Sequence, residues 1–105
     1  MIILETPIFT KLITTLMSDD EYKDLQEALV TRPEMGALIK NSCGLRKVRW
    51  SLEGRGKSGG VRVIYYWMSA DDQLYMLLAY PKNEQESLTD AQVSALRKIV
   101  ERWSA

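Results

Sequence analysis

The sequence predicts one α+β domain, in which two helices precede an antiparallel sheet and a third helix follows it. Three observations predict this class: apolar residues at helical spacing up to about residue 31, strand-like alternation from 45 to 80, and helical spacing again from 88 to 103. The 105 residues, 46% of them hydrophobic, suffice for one modest core. No repeat or low-complexity linker divides residues 1–105, so we expect a single domain.

The first helix is predicted to begin at Thr6 and Pro7, after a short strand-compatible segment at residues 2–5. A threonine hydroxyl can cap the first turn, and proline fits there because its missing N–H would have no partner at a helix start. The apolar face of this helix is expected to contain Ile8, Leu12, Ile13 and Leu16.

The second helix is predicted to begin at a capping box formed by Ser18 and Glu21 and to end near Thr31, because Pro33 follows. Its buried side is expected to contain Tyr22, Leu25, Ala28 and Leu29. Residues 35–42 are interpreted as a connector with at most one helical turn.

Three consecutive antiparallel strands are predicted between residues 44 and 80. Alternation places Val48, Trp50 and Leu52 on a core face, with Lys47, Arg49 and Ser51 on the opposite face. Residues 61–68 are β-branched and aromatic, as strands prefer, and 70–72 suit a hairpin turn. Residues 74–79 are apolar on both faces, which predicts a central strand. The closing helix has a capping box at Thr89 and Gln92, and its apolar face is expected to contain Val93, Leu96, Val100 and Trp103.

Charge is segregated along the chain, although the formal net charge is zero. Residues 18–34 carry six acidic and two basic residues, a pattern that solvation of an exposed helix explains. Residues 44–67 carry six basic residues against one acid, Glu53. A basic face of this kind can attract a polyanion, because the local potential rather than the total charge governs encounter.

The glycine-rich segment 54–60 contains three misleading motifs. Its G-x-G-x-x-G string resembles a dinucleotide-binding fingerprint, but a strand rather than a helix is predicted to follow. The kinase glycine-loop reading fails because the chain lacks the H-R-D and D-F-G motifs. The phosphate-binding P-loop reading fails because Ser51 stands where that motif needs its first glycine. What remains is a basic loop between two strands.

The absence of histidine excludes Ser-His-Asp triads, Cys-His pairs and imidazole zinc sites. Cys43 is the single cysteine, and no acidic cluster suits Mg²⁺, so we expect neither a metal nor another cofactor. The N-terminus lacks a basic region and a long apolar stretch, so no signal peptide or membrane association is expected, and the predicted location is the cytoplasm.

The basic residues point to phosphate binding, since an arginine fork binds phosphate bidentately. Aromatic residues could stack unpaired bases or pack in the core, and the sequence leaves this open for Trp50, Tyr65, Tyr66 and Tyr80. If RNA is cut, a plausible route is attack by a 2′-hydroxyl on the adjacent phosphate, with cations stabilising the developing charge.

Three strings in this order resemble the HigB branch of the RelE-like toxins of bacterial type II toxin–antitoxin systems: G-L-R-K-V-R at 44–49, G-K-S-G-G-V-R-V-I-Y-Y at 56–66 and L-A-Y-P-K-N-E at 78–84. The resemblance implies two N-terminal helices packed on an antiparallel sheet of about four strands, with a C-terminal helix. It also implies an endoribonuclease that cuts mRNA in the ribosomal A site and inhibits translation. A helix-turn-helix antitoxin would neutralise it, and the protein would reach operator DNA only through that antitoxin.

By this resemblance, Arg62 is the strand arginine that acts on the scissile phosphate. Lys57 and Lys82 are candidates for proton transfer or phosphate binding, and which group moves the proton stays open. The expected RNA-binding residues are Lys47, Arg49, Arg55, Tyr66 and Tyr80. Two alternatives use no catalysis: an RNA- or ribosome-binding module with the same basic face, and a purely structural interaction domain.

Overall fold

The structure is a computed structural model, and it describes residues 1–52, 60–85 and 87–104 of the 105-residue chain. Its elements in chain order are β1 (Ile2–Glu5), α1 (Pro7–Leu16), α2 (Asp19–Thr31), β2 (Ala37–Leu38), β3 (Leu45–Trp50), β4 (Val61–Met68), β5 (Gln73–Pro81) and α3 (Asp90–Ser104). The predicted class is confirmed: two N-terminal helices, a sheet and a C-terminal helix.

Both N-terminal helices begin where their capping residues predict. The Thr6 hydroxyl accepts a hydrogen bond from the Phe9 backbone N–H, with Pro7 in the first turn. Ser18 and Glu21 form the complete capping box of α2. The apolar face predicted for α1 is partly wrong: Phe9 and Ile13 are buried, while Ile8 is 55% exposed. Phe9 is one residue further on and fills the core position instead.

Within the described residues the sheet has five strands in the order β1-β5-β4-β3-β2, one more than the approximately four expected. The predicted antiparallel meander is confirmed as β3, β4 and β5. β1 adds to it by pairing parallel with β5, and β2 pairs antiparallel with β3 over two residues. β5 is therefore an interior strand, as its apolar composition predicts, although β4 is the middle strand.

The sheet lies between two hydrophobic cores, one on each face. Helices α1 and α2 cover one face, called here the α1/α2 face, and pack on the odd-numbered residues of β4, such as Val63 and Tyr65. Helix α3 packs on the other face, called the α3 face, against the even-numbered Ile64 and residues of β5 such as Leu77. Alternation along each strand therefore decides which core a residue joins.

The α1/α2 face is closed by polar contacts as well as by apolar packing. The Tyr65 hydroxyl, fully buried, donates to the Pro33 carbonyl at 2.6 Å and accepts from the Gly36 N–H at 2.9 Å. Burial raises the pKa of Tyr65. The Tyr22 hydroxyl donates to the Glu5 carboxylate, which ties α2 to β1. Burial and then this carboxylate raise the pKa of Tyr22, so both phenols stay neutral.

Helix α3 begins at the predicted capping box. The Thr89 hydroxyl accepts from the Gln92 N–H at 3.1 Å, and the Gln92 amide oxygen accepts from the Thr89 N–H at 2.9 Å. Leu96 and Val100 are buried against the sheet. Trp103 is 39% exposed, yet its ring meets that of Tyr75 edge-on at 4.6 Å. No helix in the described part of the chain is long and apolar enough to cross a membrane.

Candidate RNA-binding site

The cations of the meander are divided between the two faces by strand alternation. Arg46 lies on the α1/α2 face, opposite Tyr65, and its guanidinium donates to the carbonyls of Glu34 at 3.1 Å and Gly36 at 2.8 Å. Arg46 thus stabilises the connection that leads into β2. Lys47 and Arg49 alternate with it and lie on the α3 face, as the sequence predicts.

Arg49, Arg62 and Tyr80 lie side by side on three adjacent strands. Arg49 is the register partner of Arg62, and Arg62 is the register partner of Tyr80. Directly opposite residues on one sheet face have Cβ atoms about 4.5–5.5 Å apart. These three residues form the basic row, which concentrates two guanidinium groups at one end of the α3 face.

The three cations of this face differ in exposure. Arg49 is exposed, Lys47 is half-buried, and Arg62 is only 4% exposed. A group that is removed from bulk water interacts more strongly with a nearby charge, because the local dielectric constant is lower. Arg62 is therefore the most shielded of the three cations, and Arg49 is the more accessible of the two arginines.

Lys82 lies at the same end of the sheet as the basic row. It is exposed in the turn that follows β5, and its backbone N–H donates to the Gly60 carbonyl at 2.9 Å. Because Val61 pairs with Pro81, this bond continues the β4–β5 ladder past its last pair. The other two predicted site cations, Arg55 and Lys57, lie outside the described residues.

Tyr66 is not brought to the basic row. It follows Arg62 by four residues on the same strand face, which separates their Cα atoms by about 13 Å. Its ring stacks on that of Tyr75, with centroids 6.2 Å apart, and packs on Gly44. An added Cβ at Gly44, where φ is +114°, would lie 2.8 Å from the Tyr66 ring, so glycine is required there.

The other aromatic residues are packed in the two cores. Tyr80 belongs to the basic row, but it is 5% exposed and its ring is part of the α3-face core. Tyr65 and Trp50 belong to the α1/α2 core, away from the basic row. The core reading that the sequence left open is therefore correct for Tyr65, and any stacking at Tyr80 is confined to the small exposed part of its ring.

A cleft beside the basic row had no signal in the sequence. It has a volume of about 610 Å³ and lies where β2 meets β3 and the segment before α3. Its lining residues are Met35, Ala37, Leu38, Ile39, Lys40, Lys47, Val48, Arg49, Ser87 and Leu88. The sequence could not predict it, because the two-residue strand β2 is too short to give an alternation pattern.

Metal-ligating side chains are not clustered in the part of the chain that the structure describes. No three His, Cys, Asp or Glu residues there are placed to hold a metal ion. The side chains of the basic row are two cations and a phenol. Such groups can bind a phosphate and stabilise negative charge that develops on it.

Comparison with known proteins gives two results. A model of the RelE toxin of RelE/RelB toxin–antitoxin systems matches residues 3–105. The fold is similar to that of E. coli toxin RelE, solved in the free state as a double arginine-to-alanine variant. The TM-score is 0.60, and the alignment covers 96% of this chain and 95% of the other. The sequences are 14% identical, so this second likeness concerns the fold alone.

Proposed function

Since the chain belongs to the RelE toxin family, we propose that it is the toxin of a toxin–antitoxin pair and cuts mRNA in the ribosomal A site. Cutting there would inhibit translation. The three sequence strings at 44–49, 56–66 and 78–84 favour the HigB branch within this family.

The basic row is the observation that carries this proposal. Arg49 and Arg62 are register partners on adjacent strands, so two guanidinium groups can address the same phosphate. Each guanidinium presents a planar fork of donors that matches two phosphate oxygens. A single RNA phosphate held between them would be fixed in orientation and would carry its developing charge next to two cations.

The reaction would use the RNA's own 2′-hydroxyl as nucleophile. The 2′-oxygen forms a bond to phosphorus while the bond between phosphorus and the 5′-oxygen breaks. The proton of the 2′-hydroxyl goes to a base, and the leaving 5′-oxygen receives a proton from an acid. Arg62 would stabilise the extra negative charge on the phosphate oxygens, and Arg49 would hold the same group.

The remaining residues would bind and position the strand. Lys47 would contact a neighbouring phosphate, because it lies two residues, or about 6.6 Å, from Arg49 along β3. Lys82, at the same end of the sheet, is a candidate for proton transfer or phosphate binding. In the 53–59 segment, we assign Arg55 to RNA binding and Lys57 to the same candidate roles as Lys82. Tyr80 would offer a base only the small exposed part of its side chain, and Tyr66 would contribute mainly by packing.

The proposal includes a protein partner. A family of toxin–antitoxin toxins implies a neutralising antitoxin. We propose a helix-turn-helix antitoxin, through which the toxin would reach operator DNA indirectly.

Mapping the 5′ ends of a translated mRNA tests the proposed function. The purified protein is added to ribosomes that translate a defined message, and new ends are located by primer extension. Discrete ends within A-site codons, absent when ribosomes are omitted, support the nuclease. Association with ribosomes that produces no new ends would instead favour the non-catalytic RNA- or ribosome-binding module.

A further inference from the structure

Strand β1 forms one edge of the sheet, and in the described part of the chain no strand lies beyond it. The Ile2 N–H donates to the Asp72 carbonyl at 3.1 Å, and the Thr6 N–H donates to the Met76 carbonyl at 3.0 Å. Backbone groups of successive strand residues point in alternate directions, so those of residues 2, 4 and 6 face β5. The N–H and carbonyl groups of residues 3 and 5 therefore point to the outer edge of the sheet.

On the α3 face, exposed apolar side chains border β1. Ile2 is 56% exposed and Leu4 is 39% exposed. Leu4 is the register partner of Tyr75, and the exposed ring of Trp103 packs edge-on against that tyrosine. These apolar side chains are neighbours, and such a contiguous patch is typical of an interaction surface.

On the α1/α2 face, β1 borders a depression of about 500 Å³. Its lining residues are Ile3, Lys23, Gln26, Glu27, Val30 and Thr31. The residues from α2 recur at helical spacing, so they form one face of that helix. Val30 is 44% exposed in this depression, and Lys23 and Glu27 carry opposite charges.

The outer edge of β1 lacks the usual protection against strand pairing. Sheets commonly protect an edge with a charged side chain, a proline or a very short strand. The opposite edge strand, β2, has only two residues. The one charged residue of β1, Glu5, is half-buried, and its carboxylate accepts hydrogen bonds from the hydroxyls of Tyr22 and Thr10. The charge on β1 is therefore held by the chain's own helices.

We propose that β1 pairs antiparallel with β1 of a second copy of this chain, which gives a dimer with two-fold symmetry. With the axis at Leu4, Ile3 lies opposite Glu5 of the second copy, and symmetry generates the same pair again. Each pair exchanges two main-chain hydrogen bonds, so the outward backbone groups of both copies are satisfied. Leu4 then lies opposite Leu4 of the second copy, as the non-hydrogen-bonded pair between them.

A second copy fits this edge because the surface is complementary to itself, as a two-fold interface requires. The outward donors and acceptors of residues 3 and 5 match in number. A second α2 that runs in the reverse direction would bring Lys23 of one copy towards Glu27 of the other, so the charges would attract. Ile2 and Leu4 of the two copies would remove each other's apolar surface from water.

The dimer would leave the basic row of each copy uncovered. β1 pairs with residues 73–76 of β5, and Tyr80, the member of the basic row on β5, lies four residues further along. That separation is about 13 Å along the strand. No residue of the proposed RNA site takes part in the pairing, so this inference does not depend on the proposed function.

Sedimentation velocity of the purified protein over a wide range of concentrations tests the dimer. The wild type should reach twice the mass of one chain as its concentration rises. Leu4→Lys should lose this association, because two ammonium groups would lie opposite each other at the axis. Leu38→Lys is the matched control and should dimerise like the wild type, because Leu38 is 64% exposed on the opposite edge strand. Circular dichroism checks that both variants are folded.

Cysteine crosslinking tests the register of the pairing. Cys43 is first replaced by serine, because it is exposed and could form other disulfides. In this background Leu4→Cys should give a disulfide-linked dimer under mild oxidation, since the Cα atoms of a non-hydrogen-bonded pair are about 4.5 Å apart, within disulfide range. Ile2→Cys should not, because its two copies would lie four residues, or about 13 Å, apart.

Four outcomes would overturn the inference. The first is a wild type that sediments as a single chain at every concentration. The second is a Leu4→Lys variant that dimerises like the wild type, and the third is a disulfide that forms as readily with Ile2→Cys as with Leu4→Cys. The fourth is a monomeric wild type whose Leu4→Lys variant no longer binds its antitoxin, since the edge would then receive a partner protein. Cutting of mRNA is measured separately, so each of these failures would leave the proposed function standing.

Discussion

The two faces of the sheet use the same three strands in different ways. On the α1/α2 face, the one guanidinium that the described strands present, that of Arg46, donates to two backbone carbonyls. On the α3 face, the core extends as far as Tyr80, which is also a member of the basic row, and Arg49 is the exposed member of that row. Neighbouring residues illustrate the difference, since Arg46 stabilises the fold while Lys47, one position on, lines a cleft.

This contrast shows how a chain of 105 residues combines a stable core with a charged site. A side chain changes face with every step along a strand, so a cation can be added to one face without entering the opposite core. The polar groups of the first face should therefore affect stability, and the cations of the basic row should affect activity. Substitutions at matched positions test this division.

The largest effect on cleavage is expected when two arginines on opposite faces, Arg62 and Arg46, are each replaced by alanine. Arg62→Ala should lower the single-turnover rate of mRNA cleavage on the ribosome by 10²–10³, about 3–4 kcal/mol of transition-state stabilisation. Arg46→Ala should leave the rate within a few-fold and lower the free energy of unfolding, since two backbone carbonyls lose their donor. Equal loss of cleavage in two folded variants would contradict the division between faces.

Two tyrosine substitutions, one on each face, should differ in their effect on the free energy of unfolding. Tyr65→Phe leaves the buried Gly36 N–H without its acceptor and should lower the free energy of unfolding by about 1–3 kcal/mol. Tyr66→Phe should cost less, because this side chain is half-buried and contributes through its ring. Urea unfolding monitored by circular dichroism measures both. A larger loss for Tyr66→Phe would reverse the assignment of the two residues.

The two capping boxes provide a finer comparison. Ser18→Ala and Thr89→Ala should each lower the free energy of unfolding by about 1 kcal/mol, the usual cost of removing a helix cap. Thr89→Ala should also slow cleavage, because Ser87 and Leu88 precede this cap and line the cleft beside the basic row together with Lys47 and Arg49. Cleavage assays at a temperature where both variants are folded would show whether the second cap alone affects activity.

The smallest expected effect is on the salt dependence of RNA binding. Arg49→Ala should reduce the dependence of RNA affinity on salt, lowering the slope of log K against log salt by about 0.7 for each phosphate of the single strand that is no longer neutralised. Arg32→Ala is the control, because Arg32 is also exposed but lies at the end of α2 in an ion pair with Glu34. Fluorescence anisotropy with a labelled single-stranded RNA at several salt concentrations gives both slopes. An unchanged slope for Arg49→Ala would show that Arg49 does not bind RNA.

Local patterns in the sequence were enough to predict much of the fold. Capping residues located the starts of α1, α2 and α3, and alternation located β3, β4 and β5. The parallel pairing of β1 with β5 joins residues about 70 positions apart, and a four-residue strand of three apolar residues and a glutamate contains no information about its partner. β2 was missed for a similar reason, since two residues cannot show a period.

The sequence predicted on which face of the sheet the site cations lie, but not how much of that face is accessible. Alternation correctly put Lys47 and Arg49 on one face. It could not show which part of that face α3 would cover, so Tyr66 and Tyr80 were both predicted to be available for RNA. The structure separates them, with Tyr66 packed on Tyr75 and Gly44, and Tyr80 in the basic row.

Photocrosslinking of mRNA to the protein on the ribosome tests most directly whether RNA lies on the α3 face. The message carries 4-thiouridine in the A-site codon. The Arg62→Ala variant of the protein is used so that the message is cleaved slowly, and crosslinked peptides are identified by mass spectrometry. We predict crosslinks in the peptides that contain Lys47, Arg49 and Tyr80. Crosslinks confined to α1 and α2 would contradict the assignment of this face to RNA. The absence of any crosslink when the protein is bound to the ribosome would contradict it as well.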